Sequence, residues 1–235
     1  MITRALVVPH PPLLVPELVP GSEDSTEEVR KACVAAAAEL AATHPRWIAV
    51  AAGTGSPIPS SAAGSFRAYG ADVRVALSGH PARAAAPSAL PLPVLVAGWL
   101  RERACADSVR VELVPENAET ARCVALGERL ADSDTGTALL VLGDGSTRHD
   151  LSAPGWFDER AVPFDAEVAD ALERADHTAL LNIDPALAAE LGAEGRAPWQ
   201  VLAGLAGAGG RWRGELRHSS APRGVGYHVA FWERR

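Results

Sequence analysis

Two histidines stand where a sequence could place chemistry. His10 lies in VVPHPPLLVPEL, between Pro9 and the pair Pro11 and Pro12. Proline fixes its own φ and has no amide donor, so the chain around His10 is stiff. A stiff, neutral imidazole suits iron, zinc or copper; the plain alternative is a histidine that caps or packs a loop. His149 stands in GDGSTRHDL, a run rich in glycine, hydroxyls and charge. An ordinary histidine pKa of about 6.5 suits a general acid or base at neutral pH. There the alternative is a solvated turn. In the same run Asp144 reads either as a metal ligand or as a turn-forming Asp-Gly, with Ser146 at the edge of the loop. A phosphate loop is the weaker reading, because the GxxxxGKS/T spacing and its lysine are missing.

Other candidates lie farther along. Glu194 sits in LGAEGRAPWQVL, between two helical stretches, where a glutamate is ordinarily solvated. His80 follows Gly79, and Thr54 lies in Gly53-Thr54-Gly55-Ser56. His44, His177 and His218 carry no supporting pattern, and His228, after Gly-Val-Gly-Tyr, can face either side of its strand. Cys33, Cys105 and Cys123 are odd in number and contain no CxxC pair. That indicates neither a disulfide framework nor a structural zinc site. Cys33 and Cys123, inside helical patterns, read as small buried hydrophobes.

The elements that must position these residues alternate between β-type runs and amphipathic helices, which predicts an α/β fold. Strands are expected over 2–8, 46–52, 73–77, 109–114 and 137–142, with two more at 213–219 and 226–232 joined by Ala221-Pro-Arg-Gly. Ser25 with Glu28 resembles a capping box, opening a helix that runs to about Ala42. Further helices are expected over 93–103, 116–131, 163–176, 185–191 and 198–206, and a surface loop over 81–93. His10, Thr54, His80 and the Gly143–Asp150 run each follow a strand. If those four strands are parallel, the four exits meet at the carboxyl edge of the sheet, where α/β proteins form their ligand crevice.

Composition sets the outer limits. The chain has 235 residues, 48% of them hydrophobic and 22% charged, enough for a sizeable core and consistent with one domain spanning 1–235. Twenty-two basic residues against 29 acidic ones leave a net charge of −7, which argues against nucleic acid or an anionic membrane surface as partner. No apolar run reaches the roughly 18–20 residues of a membrane span. The prolines after Val8 end the first apolar run too early for a signal peptide, so a cytoplasmic location is expected. Trp99, Trp199 and Trp232 lie in or near apolar segments; they face either a core or a second copy of the chain, which leaves a homo-oligomer open.

In order along the chain, VVPHPPLLVPEL, LGDGSTRHDLSAPGWFDERAVPFDAEVADAL and SSAPRGVGYHVAFW resemble the class III extradiol ring-cleavage dioxygenases. This is the LigB-like family of the catalytic subunit of protocatechuate 4,5-dioxygenase, and the Memo-like proteins share its fold. The resemblance implies an α/β core with a central, mostly parallel sheet flanked by helices. It also implies non-haem iron(II) held by two histidines and a glutamate, and a catechol-type substrate whose two oxygens chelate the iron beside O2. His10 matches the first metal histidine, Glu194 the metal glutamate, and His149 the acid/base histidine. The second metal histidine is missing: Thr54 stands in its place, and threonine is a poor iron(II) ligand. His80 could substitute for it. Three readings follow: an extradiol dioxygenase-like enzyme using iron(II), a non-catalytic member that binds a metabolite or protein partner without any metal, and a hydrolase using zinc or another divalent metal in the same crevice.

Overall fold

A computed structural model of the chain describes residues 1–19, 24–79, 89–133 and 136–235. The elements are β1 (Arg4–Val8), α1 (Asp24–Thr43), β2 (Arg46–Ala52), β3 (Ala63–Ser65), β4 (Arg74–Ala76), α2 (Leu92–Arg103), β5 (Ser108–Val114) and α3 (Thr120–Ala131). They continue with β6 (Thr137–Leu142), α4 (Ala161–Arg174), α5 (His177–Leu181), α6 (Pro185–Leu191), α7 (Arg196–Gly207), β7 (Trp212–Ser220) and β8 (Tyr227–Arg234).

Six strands form one sheet in the order β5-β2-β6-β1-β8-β7. The first four run parallel; β8 lies antiparallel to β1, and β7 antiparallel to β8. The mostly parallel α/β sheet flanked by helices is thus the observed architecture. Strand alternation sorts the core. Leu6 and Val8 of β1 pack with α1 and α2 on one face, while Ala5 and Val7 pack with α3, α4 and α7 on the other. Burial on both faces explains why β1, β2 and β6 are almost wholly apolar. Trp99, Trp199 and Trp232 are buried in these two layers, as are Cys33 and Cys123.

The run expected as a strand over 73–77 departs from the sequence reading. It forms only the short β4, which pairs with β3 in a separate antiparallel ribbon. Bridges from Ile58 to Val111 and from Ser78 to Ser108 hold this ribbon beside β5. A three-residue strand that starts at an exposed Arg74 cannot fill a place in a sheet buried on both faces. The four parallel exits of the sequence reading are therefore three: β1, β2 and β6. A different strand supplies the fourth approach. β8 runs opposite to β1, so its beginning, with Tyr227 and His228, lies at the edge where β1 and β6 end.

Other differences are local. α1 begins at Asp24, so Ser25 lies inside the helix rather than at its cap. α3 begins at Thr120, four residues after the expected start, and α5 is a short additional helix capped by the Asp176 side chain. Most of the expected 81–93 loop, together with His80, lies outside the described residues. Among the described residues, no helix is long and apolar enough to cross a membrane.

Candidate active site

Two histidine–carboxylate clusters sit at the strand-exit edge. The first is built on His10, just beyond β1 and 2% exposed. After it, the prolines turn the chain into a short 3-10 turn, Pro12–Leu14. The His10 backbone N–H donates to Asp144 Oδ1 at 2.7 Å, which ties the exit of β1 to that of β6. His10 Nε2 lies 3.1 Å from Glu194 Oε2. Its Nδ1 is buried, 3.5 Å from Asp144 Oδ1, with no hydrogen bond among the described residues. Glu194 stands in the short connection between α6 and α7, and its side chain is half exposed.

Backbone contacts bring that connection to β6. Gly195 N–H donates to Asp144 O at 2.8 Å. A Cβ on Gly143 would lie 2.4 Å from Gly195 Cα, so only glycine allows the approach. Arg196 anchors the connection from behind. This buried guanidinium donates to Glu116 O, to Ala118 O and to Gln200 Oε1, pinning the start of α7 against the loop before α3.

Burial works against the charged form of His10, but the carboxylates of Asp144, Glu194 and Glu116 outweigh it and raise the histidine above its ordinary value. Glu194 is lowered, first by its hydrogen bond to His10. Asp144 is raised: burial is the largest influence, opposed by His10 and its N–H and by His228, and reinforced by Glu194. Burial also pushes up the Cys33 thiol and the Tyr227 phenol, both of which lie in the field of Asp144.

The second cluster centres on Asp165, in the first turn and a half of α4 and 4% exposed. Its Oδ2 lies 2.5 Å from His149 Nε2, and its Oδ1 lies 3.5 Å from His228 Nε2. Ser146 N–H donates to both oxygens, at 3.2 and 3.1 Å. Burial opposes ionisation of Asp165, but these contacts with His149, His228 and the Ser146 N–H outweigh it and hold the carboxyl below its ordinary value. Two glycines make room for it. A Cβ on Gly145 would lie 2.4 Å from Asp165 Oδ1, and one on Gly226 would lie 1.9 Å from Oδ2. Reciprocal backbone bonds, Gly145 N–H to Gly226 O and Gly226 N–H to Ser146 O, each 2.8 Å, clamp the β6 exit loop to the entry of β8.

Of the sequence candidates, then, the structure brings His10, Asp144 and Glu194 together and sets His149 in the neighbouring cluster. Ser146 is wholly buried; its hydroxyl donates to Leu191 O and accepts from Arg148 N–H, so it braces the loop instead of facing a ligand. Thr54 is exposed beyond β2. Asp165 and Arg196 carry no signal in the sequence analysis, and His228, which could face either side of its strand, faces Asp165. The Gly-Val-Gly-Tyr run ahead of His228 was the available signal, since Gly226 exists to admit Asp165.

The donors bear on whether a metal fits. His10 Nε2 and Glu194 Oε2 are close enough together to share one divalent ion. Among the described residues, however, no group of three or more His, Cys, Asp or Glu side chains is arranged to hold a metal ion. The two-histidine, one-glutamate set is therefore not reproduced by the described side chains.

Comparison with known proteins agrees with this architecture. The profile of the family described as the catalytic LigB subunit of aromatic ring-opening dioxygenase matches residues 103–230, more than half of the chain. That span holds Asp144, His149, Asp165, Glu194 and His228 but neither His10 nor Thr54. The crystal structure of an uncharacterized protein, JW3007, from Escherichia coli K12 is similar in fold, with a TM-score of 0.56 at 13% identity. The likeness covers 98% of this chain and 99% of that one. No curated protein matches the sequence.

Proposed function

Because the chain belongs to the family of the catalytic LigB subunit of aromatic ring-opening dioxygenase, we propose that its crevice takes a small aromatic diol and that His149 exchanges a proton with one of the diol's hydroxyls. The observation that carries this reading is Asp165, a buried carboxylate bonded to His149 Nε2 and braced by Ser146 and His228. A carboxylate on one ring nitrogen fixes the tautomer and stabilises the imidazolium that forms when the ring takes a proton. It leaves Nδ1 as the atom available to substrate.

His10 and Glu194 are the residues that would give donors to iron(II), the metal implied by the family, or to zinc. Among the described residues they supply two donors; Thr54 is a poor third, and His80, the substitute expected from sequence, lies outside the described residues. The His149 role stands on this chain's own groups, Asp165, Ser146 and His228. What supports a second reading, a member that binds the diol without opening its ring, is Thr54, which stands where the resemblance places the second metal histidine.

Metal content and oxygen uptake separate the readings. Protein purified without oxygen is offered iron(II) and zinc, with His10→Ala as control, and then catechol and O2. Iron uptake that His10→Ala abolishes, with O2 consumed on catechol, supports ring opening. Catechol binding that needs His149 but no metal supports the binder. Zinc uptake without O2 consumption points to hydrolytic chemistry, and failure to bind either metal or catechol overturns the proposal.

A further inference from the structure

We propose that Ser219 and His228, through Asp165, form a proton path that joins His149 to solvent at the edge of the sheet. The inference rests on the reading of His149 as the proton-exchanging group. Three contacts run in series. Ser219 Oγ lies 3.0 Å from His228 Nδ1, His228 Nε2 lies 3.5 Å from Asp165 Oδ1, and Asp165 Oδ2 lies 2.5 Å from His149 Nε2. The middle of the chain is dry, with His228 at 1% exposure and Asp165 at 4%. The outer end is wet: Ser219 is exposed on β7, the edge strand. Both ring nitrogens of His228 are engaged, Nε2 toward the site and Nδ1 toward the surface.

The strand register builds this connection. Leu216 pairs with Ala230, but the next pair along is His218 with Val229, so Arg217 is an extra residue in β7. Beyond this bulge the pairs are Ser219 with His228 and Ser220 with Tyr227. In an unbroken register Arg217 would pair with Val229, which would set His218 opposite His228 and Ser219 opposite Tyr227. A bulge that re-aims one side chain is a recurrent device beside functional sites, and here it places a hydroxyl across from the buried imidazole. The Trp199 ring meets His228 edge-on, centroids 6.1 Å apart, and closes another side of the path.

The transfer balances. The His149 imidazolium gives its Nε2 proton to Asp165 Oδ2, and the carboxyl turns, exchanging two equivalent oxygens. Asp165 passes the proton to His228 Nε2 while His228 Nδ1 gives its proton to Ser219 Oγ, whose hydroxyl proton leaves to water. The His228 ring is left as its other tautomer. One proton moving inward by the same contacts restores every group. Asp165, His228 and Ser219 act through His149 and are positioning residues in this scheme.

The test is the rate at which the His149 ring N–H exchanges with water, followed by NMR on protein labelled with 15N at histidine and saturated with catechol. Ser219→Ala and His228→Gln should each slow exchange by about tenfold or more, the low end of what losing an outer partner costs. Ser219→Thr, which keeps the hydroxyl, should restore the rate. Unchanged exchange in Ser219→Ala, an exposed site whose substitution leaves the fold intact, overturns the path. If catechol does not bind, the same comparison is made on the free protein. Slowed exchange there keeps the path while the diol reading fails, and unchanged exchange removes the path as well.

Discussion

The two clusters at the strand-exit edge use the same parts, histidine and carboxylate, and differ in how completely they are surrounded. Asp165 is enclosed by two imidazoles, one backbone N–H and two glycines that exist to leave it space. Among the described residues Glu194 has one side-chain partner, His10, and its side chain is half exposed. Burying a carboxylate is costly unless its charge is met by partners, and the inner cluster meets that demand in full. The outer cluster does not, and among the described residues it offers one donor fewer than the metal site its family implies. The Asp165 cluster is therefore the more completely enclosed of the two at this edge.

The contrast can be broken most decisively by deleting each carboxylate. Asp165→Ala leaves His149, His228 and the Ser146 N–H without their shared partner, and should lower unfolding free energy by about 3–5 kcal/mol in urea denaturation. Glu194→Ala removes a half-exposed partner and should cost less than about 1 kcal/mol. Equal losses would erase the distinction. Gly226→Ala comes next. Its methyl would overlap Asp165 Oδ2, and such overpacking costs about 1–3 kcal/mol. The His149 and His228 ring resonances should shift with it, while those of His44 and His177 stay in place.

Acidity sharpens the comparison because the two clusters respond with opposite sign. Asp165 is held below its ordinary value, so its contribution is present above the unfolded carboxyl pKa of about 3.9 and is lost as pH falls through the lower, folded value. His10 is raised, so its contribution is complete below about pH 6.5 and is lost as pH rises through the folded value. Thermal unfolding across pH should show an acid-side loss that Asp165→Asn flattens and an alkaline-side loss that His10→Gln flattens. The exchange of these two signatures would contradict the assignment. The smallest stability effect is expected from Thr54→His. At an exposed loop position it should change stability by no more than about 0.5 kcal/mol, yet raise iron(II) uptake measured by metal analysis.

Much of this was legible before the structure. Continuous apolar runs gave β1, β2 and β6, and their polar exits gave His10, Asp144, His149 and Thr54, because a strand buried on both faces and the turn that ends it are local signals. Asp165 was not legible. In FDAEVADAL a carboxylate beside Phe164 and Val168 reads as the solvent side of an amphipathic helix. Its burial depends on Gly145 and Gly226, residues far away in sequence that leave room for it. His228 failed for a related reason: alternation sets the faces of β8, but only the tertiary position of α4 makes one of them a site. The run at 73–77 was misplaced because β propensity says nothing about which sheet a strand joins.

The most direct measurement is the ultraviolet difference spectrum of catechol added to the protein without oxygen, in the native chain, in His149→Gln and in Glu194→Gln. The native protein and Glu194→Gln should both show the absorption of ionised catechol, and His149→Gln should bind the neutral form. Ionisation that persists in His149→Gln, or that vanishes in Glu194→Gln instead, would contradict the assignment of proton exchange to the Asp165 cluster.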